Sequence, residues 1–364
     1  TQSHLELHSG IARLYPRVYG NLVQDPDRHE DTGIILVHPM SNFLGHHLLE
    51  PIAKSGLPVI GLNTRYAGFD AAVILENCLI DIAAAVRHAR EKLGWKKVVL
   101  AGFSGGGPLV AYYQRQAEKP SVRSTPAGDP PDFTTTRLPP ADAILLIASS
   151  KSRSHIMQSW IDPSLTDERD ADSRDPGLDL YAEGRTPPYD RGWLAEYRAA
   201  QLQRMARIDA WVVSELERLK GLGIRDRAFV VHRTVADPRL LDMTLEPSDR
   251  KPGSIYGDPR QANQATGPMG RYTSLRSWLS VWSPQYSHGD ALKNLPHVGA
   301  PVAIMSLTAD QGSLTTDGWA LRDAAPGCTF IELQGFNHYF INQPDAADIA
   351  VGEIRGWLRS TALA

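Results

Sequence analysis

The sequence predicts an α/β architecture: a mostly parallel central sheet flanked by helices, interrupted by a large, partly helical insertion. Three features predict it. Short apolar runs bounded by turn residues alternate with helical periodicity through residues 33–117. The same alternation returns over residues 301–358. Between the two halves, residues 151–298 change character and are rich in Asp, Arg, Pro, Trp and Tyr.

The elements follow in order. Residues 33–38 (GIILVH) form an apolar run stopped by Pro39, which reads as a strand buried on both faces, and residues 58–63 form a second. Val73, Ile74, Leu79, Ile82, Val86 and Leu93 have helical spacing over residues 70–93, and Gly94 stands just past the end. A third strand at 97–102 leads directly into a helix over 106–117. Six prolines between positions 120 and 140 make that stretch a loop, and residues 141–149 return to a buried strand. Inside the insertion, Leu194, Tyr197, Met205, Ile208, Val212, Leu216 and Leu219 mark one stripe of a long helix over 190–219. Residues 244–272 read as loop. Strand 301–307, helix 315–323, strand 328–333 and helix 346–358 close the chain. The division expected is a core of residues 1–150 and 299–364 carrying a cap or lid of residues 151–298.

Thirty-eight Lys plus Arg stand against 41 Asp plus Glu, a net charge of -3 over 364 residues. Such a balance supplies no field for nucleic acid or an anionic membrane surface, so a small molecule is the expected partner. Two cysteines, Cys78 and Cys328, exclude a disulfide scaffold and a cysteine-rich zinc site. Apolar runs such as residues 143–148 fall far short of the ~20 residues that span a bilayer. The opening TQSHLELHSG has neither a basic nor an apolar leader region. A cytoplasmic location is the expectation.

The sharpest chemical signal is Gly102-Phe103-Ser104-Gly105-Gly106, where the strand at 97–102 meets the next helix. A side chain projected from such a turn needs small residues two before and two after it, so that strand and helix can cross. The helix N-terminus then directs free N–H groups at any oxyanion formed there. A phosphate-binding reading lacks both the G-x-G-x-x-G spacing and a P-loop lysine.

With this elbow the chain resembles the α/β-hydrolase fold superfamily, most clearly over residues 30–115 and 300–360. The resemblance implies a serine hydrolase, esterase-like, with its triad in the order nucleophile, acid, histidine. Ser104 is then the nucleophile. Asp310, just beyond strand 301–307, is the acid, with Asp237 in reserve. His338, just beyond strand 328–333, is the base. The expected oxyanion donors are the amides of Gly105 and Met40. Met40 enters because many members have His-Gly where this chain has His38-Pro39, and proline has no N–H. His38 reads as a structural loop residue, and His46-His47 as residues capping or lining a loop near the site rather than as metal ligands.

No H-E-x-x-H motif and no dinucleotide fingerprint occur, so neither metal nor cofactor is expected. The expected reaction is cleavage of a carboxylic ester through an acyl-enzyme. Carbon–carbon bond hydrolysis of diketone-type substrates, and lactonase, thioesterase, amidase or acyltransferase chemistry, use the same triad. Six of the eight tryptophans lie between positions 160 and 319, which suits either an aromatic pocket for a bulky apolar group or the insertion's own core. Residues 286–290 (YSHGD) read as a polar loop near the end of the insertion.

Overall fold

The computed structural model describes residues 6–8, 11–13, 17–26 and 30–363. Residues 1–5, part of the opening stretch considered for a leader, lie outside the described residues. The strands in chain order are β1 (Glu6–His8), β2 (Ile11–Arg13), β3 (Tyr19–Val23), β4 (Thr32–His38), β5 (Val59–Asn63), β6 (Lys97–Phe103), β7 (Ala143–Ile147), β8 (Ala228–Val230), β9 (Tyr272–Ser274), β10 (Val302–Leu307) and β11 (Thr329–Leu333). Seven of them form one sheet in the order β11-β10-β7-β6-β4-β5-β3, while β1 pairs β2 and β8 pairs β9. All pairings in the large sheet are parallel except that of β3, which closes one edge antiparallel to β5.

The buried runs are strands because β-branched and leucine side chains can fill both faces of a parallel sheet at once. Along β4, Ile35 and Val37 join the core under the helices α2 (Leu75–Glu91) and α3 (Gly106–Glu118). Ile34 and Leu36 join the opposite core, under α1 (Leu49–Lys54) and the final helix Ala346–Ser360. This two-residue alternation divides one strand between two cores. The edge strand β3, mostly exposed, lacks the signal that betrays its buried neighbours.

The insertion leaves β7 and returns at β10. It opens with α4 (Arg153–Trp160), capped by the Ser152 hydroxyl, which accepts from the His155 amide at 2.9 Å. The long helix α5 (Arg191–Gly221) begins where the Asp190 carboxylate accepts the Trp193 amide. Tyr197, Met205, Ile208, Val212 and Leu219 are buried along the anticipated stripe, and so are Gln201, Arg204 and Asp209. Each of the polar three has a partner: Gln201 donates to the Ser159 and Ile161 carbonyls, Arg204 pairs with Glu168, and Asp209 accepts from Trp278 Nε1 and Ser283 Oγ.

Several short elements depart from expectation. The helix expected from position 70 begins with a 3-10 turn, Asp70–Ala72, and its α-helical part starts at Leu75. The loop expected over 244–272 is mostly irregular but holds a single helical turn, Pro259–Ala262. Tertiary packing rather than periodicity supports α4, the β8–β9 pair and the π-helical turn Trp278–Trp282, whose five residues are all buried. Among the described residues no helix is long and apolar enough to cross a membrane.

Candidate active site

Ser104 occupies the turn between β6 and α3 with a φ of 56°, a left-handed conformation that strains any residue with a Cβ. Its amide is fixed on the Ile147 carbonyl of β7 at 2.8 Å. The glycines around it are dictated by contact. A Cβ on Gly102 would overlap the carbonyl of Gly106, and one on Gly106 would overlap that of Val37. A Cβ on Gly107 would overlap the Ser149 side chain. The spacing of small residues expected from the sequence is therefore a steric requirement of this crossing. Ser104 keeps partial solvent access, and no hydrogen bond engages its hydroxyl among the described residues.

Asp310 and His338 meet beyond the ends of β10 and β11. The Asp310 carboxylate accepts from His338 Nδ1 at 2.6 Å, and both side chains are almost wholly buried. The other carboxylate oxygen accepts the amides of Gly312 and Ser313, at 2.6 and 2.9 Å. Their two loops are tied directly, since the Ala309 amide donates to the Phe336 carbonyl. Nδ1 is thus held on the carboxylate, and Nε2 of His338 is buried with no hydrogen-bond partner among the described residues. The imidazole packs edge-on against Phe103, the residue before Ser104, with ring centres 5.3 Å apart.

His38, at the end of β4, also stands at the elbow. Its Nδ1 accepts from the amides of Met40 at 3.2 Å and Ser41 at 3.0 Å. A nitrogen that accepts two bonds carries no proton, so in the neutral ring the proton sits on Nε2. Burial, followed by the Arg153 guanidinium, pushes the imidazole well below its usual range and keeps it neutral. Nε2 lies 3.0 Å from where a Cβ on Gly105 would stand. The Met40 amide, expected as an oxyanion donor, is turned onto His38 Nδ1. The Gly105 amide has no such engagement among the described hydrogen bonds.

His46 and His47 stack on one another 4.2 Å apart and both contact Phe103. Burial depresses His46 to about 3, so it stands as a neutral ring packed behind the nucleophile turn. No group of three His, Cys, Asp or Glu side chains among the described residues is arranged to hold a metal. Asp237, the reserve acid, is enclosed by Arg198 at 2.6 Å and Arg239 at 2.7 Å, and caps a short helical turn instead. Within residues 286–290, Ser287 donates to the Ser280 carbonyl and His288 meets Glu76 at 3.0 Å, so both serve the packing of the insertion. These two residues line a surface cleft of about 820 Å³ whose lining includes none of Ser104, Asp310 and His338.

One residue unmarked by the sequence reading stands at the elbow. Arg153, at the start of α4, lies with Cδ 2.7 Å and Nη1 3.1 Å from where a Cβ on Gly105 would be. Trp282 lies under its guanidinium, 4.8 Å from ring centre to Cζ.

A family model described as alpha/beta hydrolase fold matches residues 36–126, the stretch from the end of β4 through the nucleophile turn and α3. The chain has the α/β-hydrolase fold. Among solved structures the chain is similar to DcsB in complex with its substrate analogue, at 13% identity over 98% of this chain and 97% of that one, TM-score 0.52. It is similar also to the alpha/beta hydrolase GrgF from Penicillium sp. sh18, at 9% identity over 94% and 98%, TM-score 0.52. A monoacylglycerol lipase from Paleococcus ferrophilus aligns at 15% identity over 94% and 99%, TM-score 0.48. At these identities the likeness is one of fold. No curated protein matches the chain.

Proposed function

We propose that this α/β-hydrolase is a serine hydrolase that cleaves a carboxylic ester through Ser104, His338 and Asp310. The observation that carries the proposal is a strained, partly open serine whose neighbour Phe103 packs against a buried imidazole, 5.3 Å between ring centres, with the imidazole Nδ1 already held by a carboxylate at 2.6 Å. A serine hydroxyl needs a base to take its proton as it attacks, and an imidazole is suited to that near neutral pH. His338 Nε2 takes the proton from Ser104 Oγ while the oxygen bonds to the ester carbonyl carbon. Asp310 keeps the ring oriented and stabilises the imidazolium. The tetrahedral oxyanion is met by the Gly105 amide and by Nε2–H of His38, the donor that replaces Met40. Collapse breaks the bond to the alcohol, which leaves with the proton from His338. Water then enters, gives its proton to His338 and attacks the acyl carbon, and the returning proton frees Ser104.

Residues 151–298 act in this reading as a cap. Its support is that Arg153, Tyr256 and Trp282 come from the insertion, and that burial raises the Tyr256 phenol. A cap of this kind excludes water and shapes the pocket for a small-molecule substrate. A series of p-nitrophenyl esters of graded acyl length tests the reaction. Wild type is expected to release nitrophenol and S104A to fall to the uncatalysed rate while keeping its fold by circular dichroism. Unchanged turnover in S104A would remove the proposal.

A further inference from the structure

The buried arginines of this molecule differ in what they face. Arg204 pairs with Glu168 at 2.6 Å and Arg233 with Asp162 at 2.7 Å. Arg250 and Arg271 have no carboxylate but donate to backbone carbonyls, Arg250 to that of Arg239 and Arg271 to those of Ala262 and Asn263. Arg153 has neither. It is 9% exposed, its Nε is buried without a partner, and its Nη2 reaches only the thioether of Met40 at 3.3 Å. A thioether is a weak acceptor, and the Trp282 face is a second soft contact. The carboxylate of Asp70 and the phenols of Tyr256 and Tyr339 act on it without forming an ion pair.

A buried guanidinium with no ion-pair partner is costly to fold, and it is tolerated where a ligand completes it. This one borders the reaction centre, because Nη1 lies 3.1 Å from the Cβ position of Gly105, whose amide the proposed mechanism assigns to the oxyanion. We propose that Arg153 binds a carboxylate of the substrate, so that the ester cleaved carries a free acid within a few bonds of its scissile carbonyl. The planar fork of a guanidinium matches a carboxylate through two parallel hydrogen bonds. One cation, walled by Met40 and Trp282 with His38 neutral, balances one negative charge. A phosphate dianion would lack a second cation here. The class of substrate is then the hemiester of a short dicarboxylic acid, and the proposal rests on the serine-hydrolase reading of the same site.

The test compares monoethyl malonate, succinate and glutarate with the matching diethyl esters, read as ethanol released by wild type, R153M, R153K and S104A. Wild type is expected to prefer one hemiester over its diester. R153M is expected to lower that preference about 100-fold, chiefly through KM, because the substrate carboxylate loses its partner. R153K restores part of it through charge without the fork. The melting temperature of R153M is expected to hold or rise, since an unpaired buried charge has gone. A wild type that favours the neutral diesters overturns the proposal. So does an R153M that loses both ester classes equally, which assigns Arg153 to the oxyanion or to structure. Fluorophosphonate labelling of Ser104 separates the two levels: label without hemiester preference removes only the carboxylate assignment, and no label removes the hydrolase reading beneath it.

Discussion

The proposed triad of Ser104, Asp310 and His338 was legible as a hypothesis because each residue stands just beyond the end of a strand, where a parallel sheet presents its ligand-binding edge. The second oxyanion donor proposed here, His38, could not be read that way. Whether the Met40 amide points at substrate depends on the rotamer and tautomer of His38, and sequence carries neither. Arg153 left a faint signal, a cation shortly beyond the end of the buried strand β7, but only its lack of both a carboxylate and a carbonyl partner makes it distinctive. Two predictions belong at this scale. D310N retains the fold and loses about 10³–10⁴-fold in kcat for ester hydrolysis, since the amide no longer holds the imidazole in its working tautomer. H38A loses about 10²–10³-fold in kcat with little change in KM, the behaviour of a lost oxyanion donor. Steady-state kinetics on a p-nitrophenyl ester checks both, and an H38A enzyme of wild-type kcat would return the second donor to the backbone.

At the scale of the element, the β6–Ser104–α3 crossing is the most sequence-determined part of the molecule. Gly102 and Gly106 are required by backbone contact and not by flexibility alone. G106A forces a methyl into the Val37 carbonyl, and we expect a loss of about 3 kcal/mol in urea denaturation together with loss of turnover. The buried strands and long helices were equally legible, because β4, β5 and β7 are buried throughout and α5 keeps its stripe over 31 residues. Polar partners inside that stripe were not legible, since periodicity cannot announce that Gln201, Arg204 and Asp209 turn inward. D209A leaves the Trp278 indole N–H and the Ser283 hydroxyl buried without an acceptor. A destabilisation of about 2–3 kcal/mol is expected by chemical denaturation.

For the whole molecule, the two α/β halves were predictable and the order of their strands was not, because pairing of β7 with β10 reaches across the entire insertion. The insertion itself resisted reading, since much of it is irregular and is held by buried ion pairs such as Arg233–Asp162. Global stability should report the buried imidazoles. His46 is depressed to about 3 in the folded chain, against an ordinary value of 6.5. Between those values the unfolded state binds a proton that the folded state refuses, so stability falls as pH drops below about 6.5. His38 acts in the same direction. Asp237, held low by its arginines, stabilises above its ordinary carboxylate range and contributes no slope until the pH falls below about 4. From pH 7 to pH 5 wild type should lose about 1–2 kcal/mol more than H46Q in urea titrations. Equal losses would show that His46 titrates normally in the folded chain.

The most direct test of the central claim is labelling with a fluorophosphonate, and with a smaller sulfonyl fluoride, followed by peptide mapping of wild type and S104A. Modification of Ser104 alone, absent from S104A, is the predicted result. A label on another residue, an undiminished label in S104A, or no label from either reagent would contradict the account.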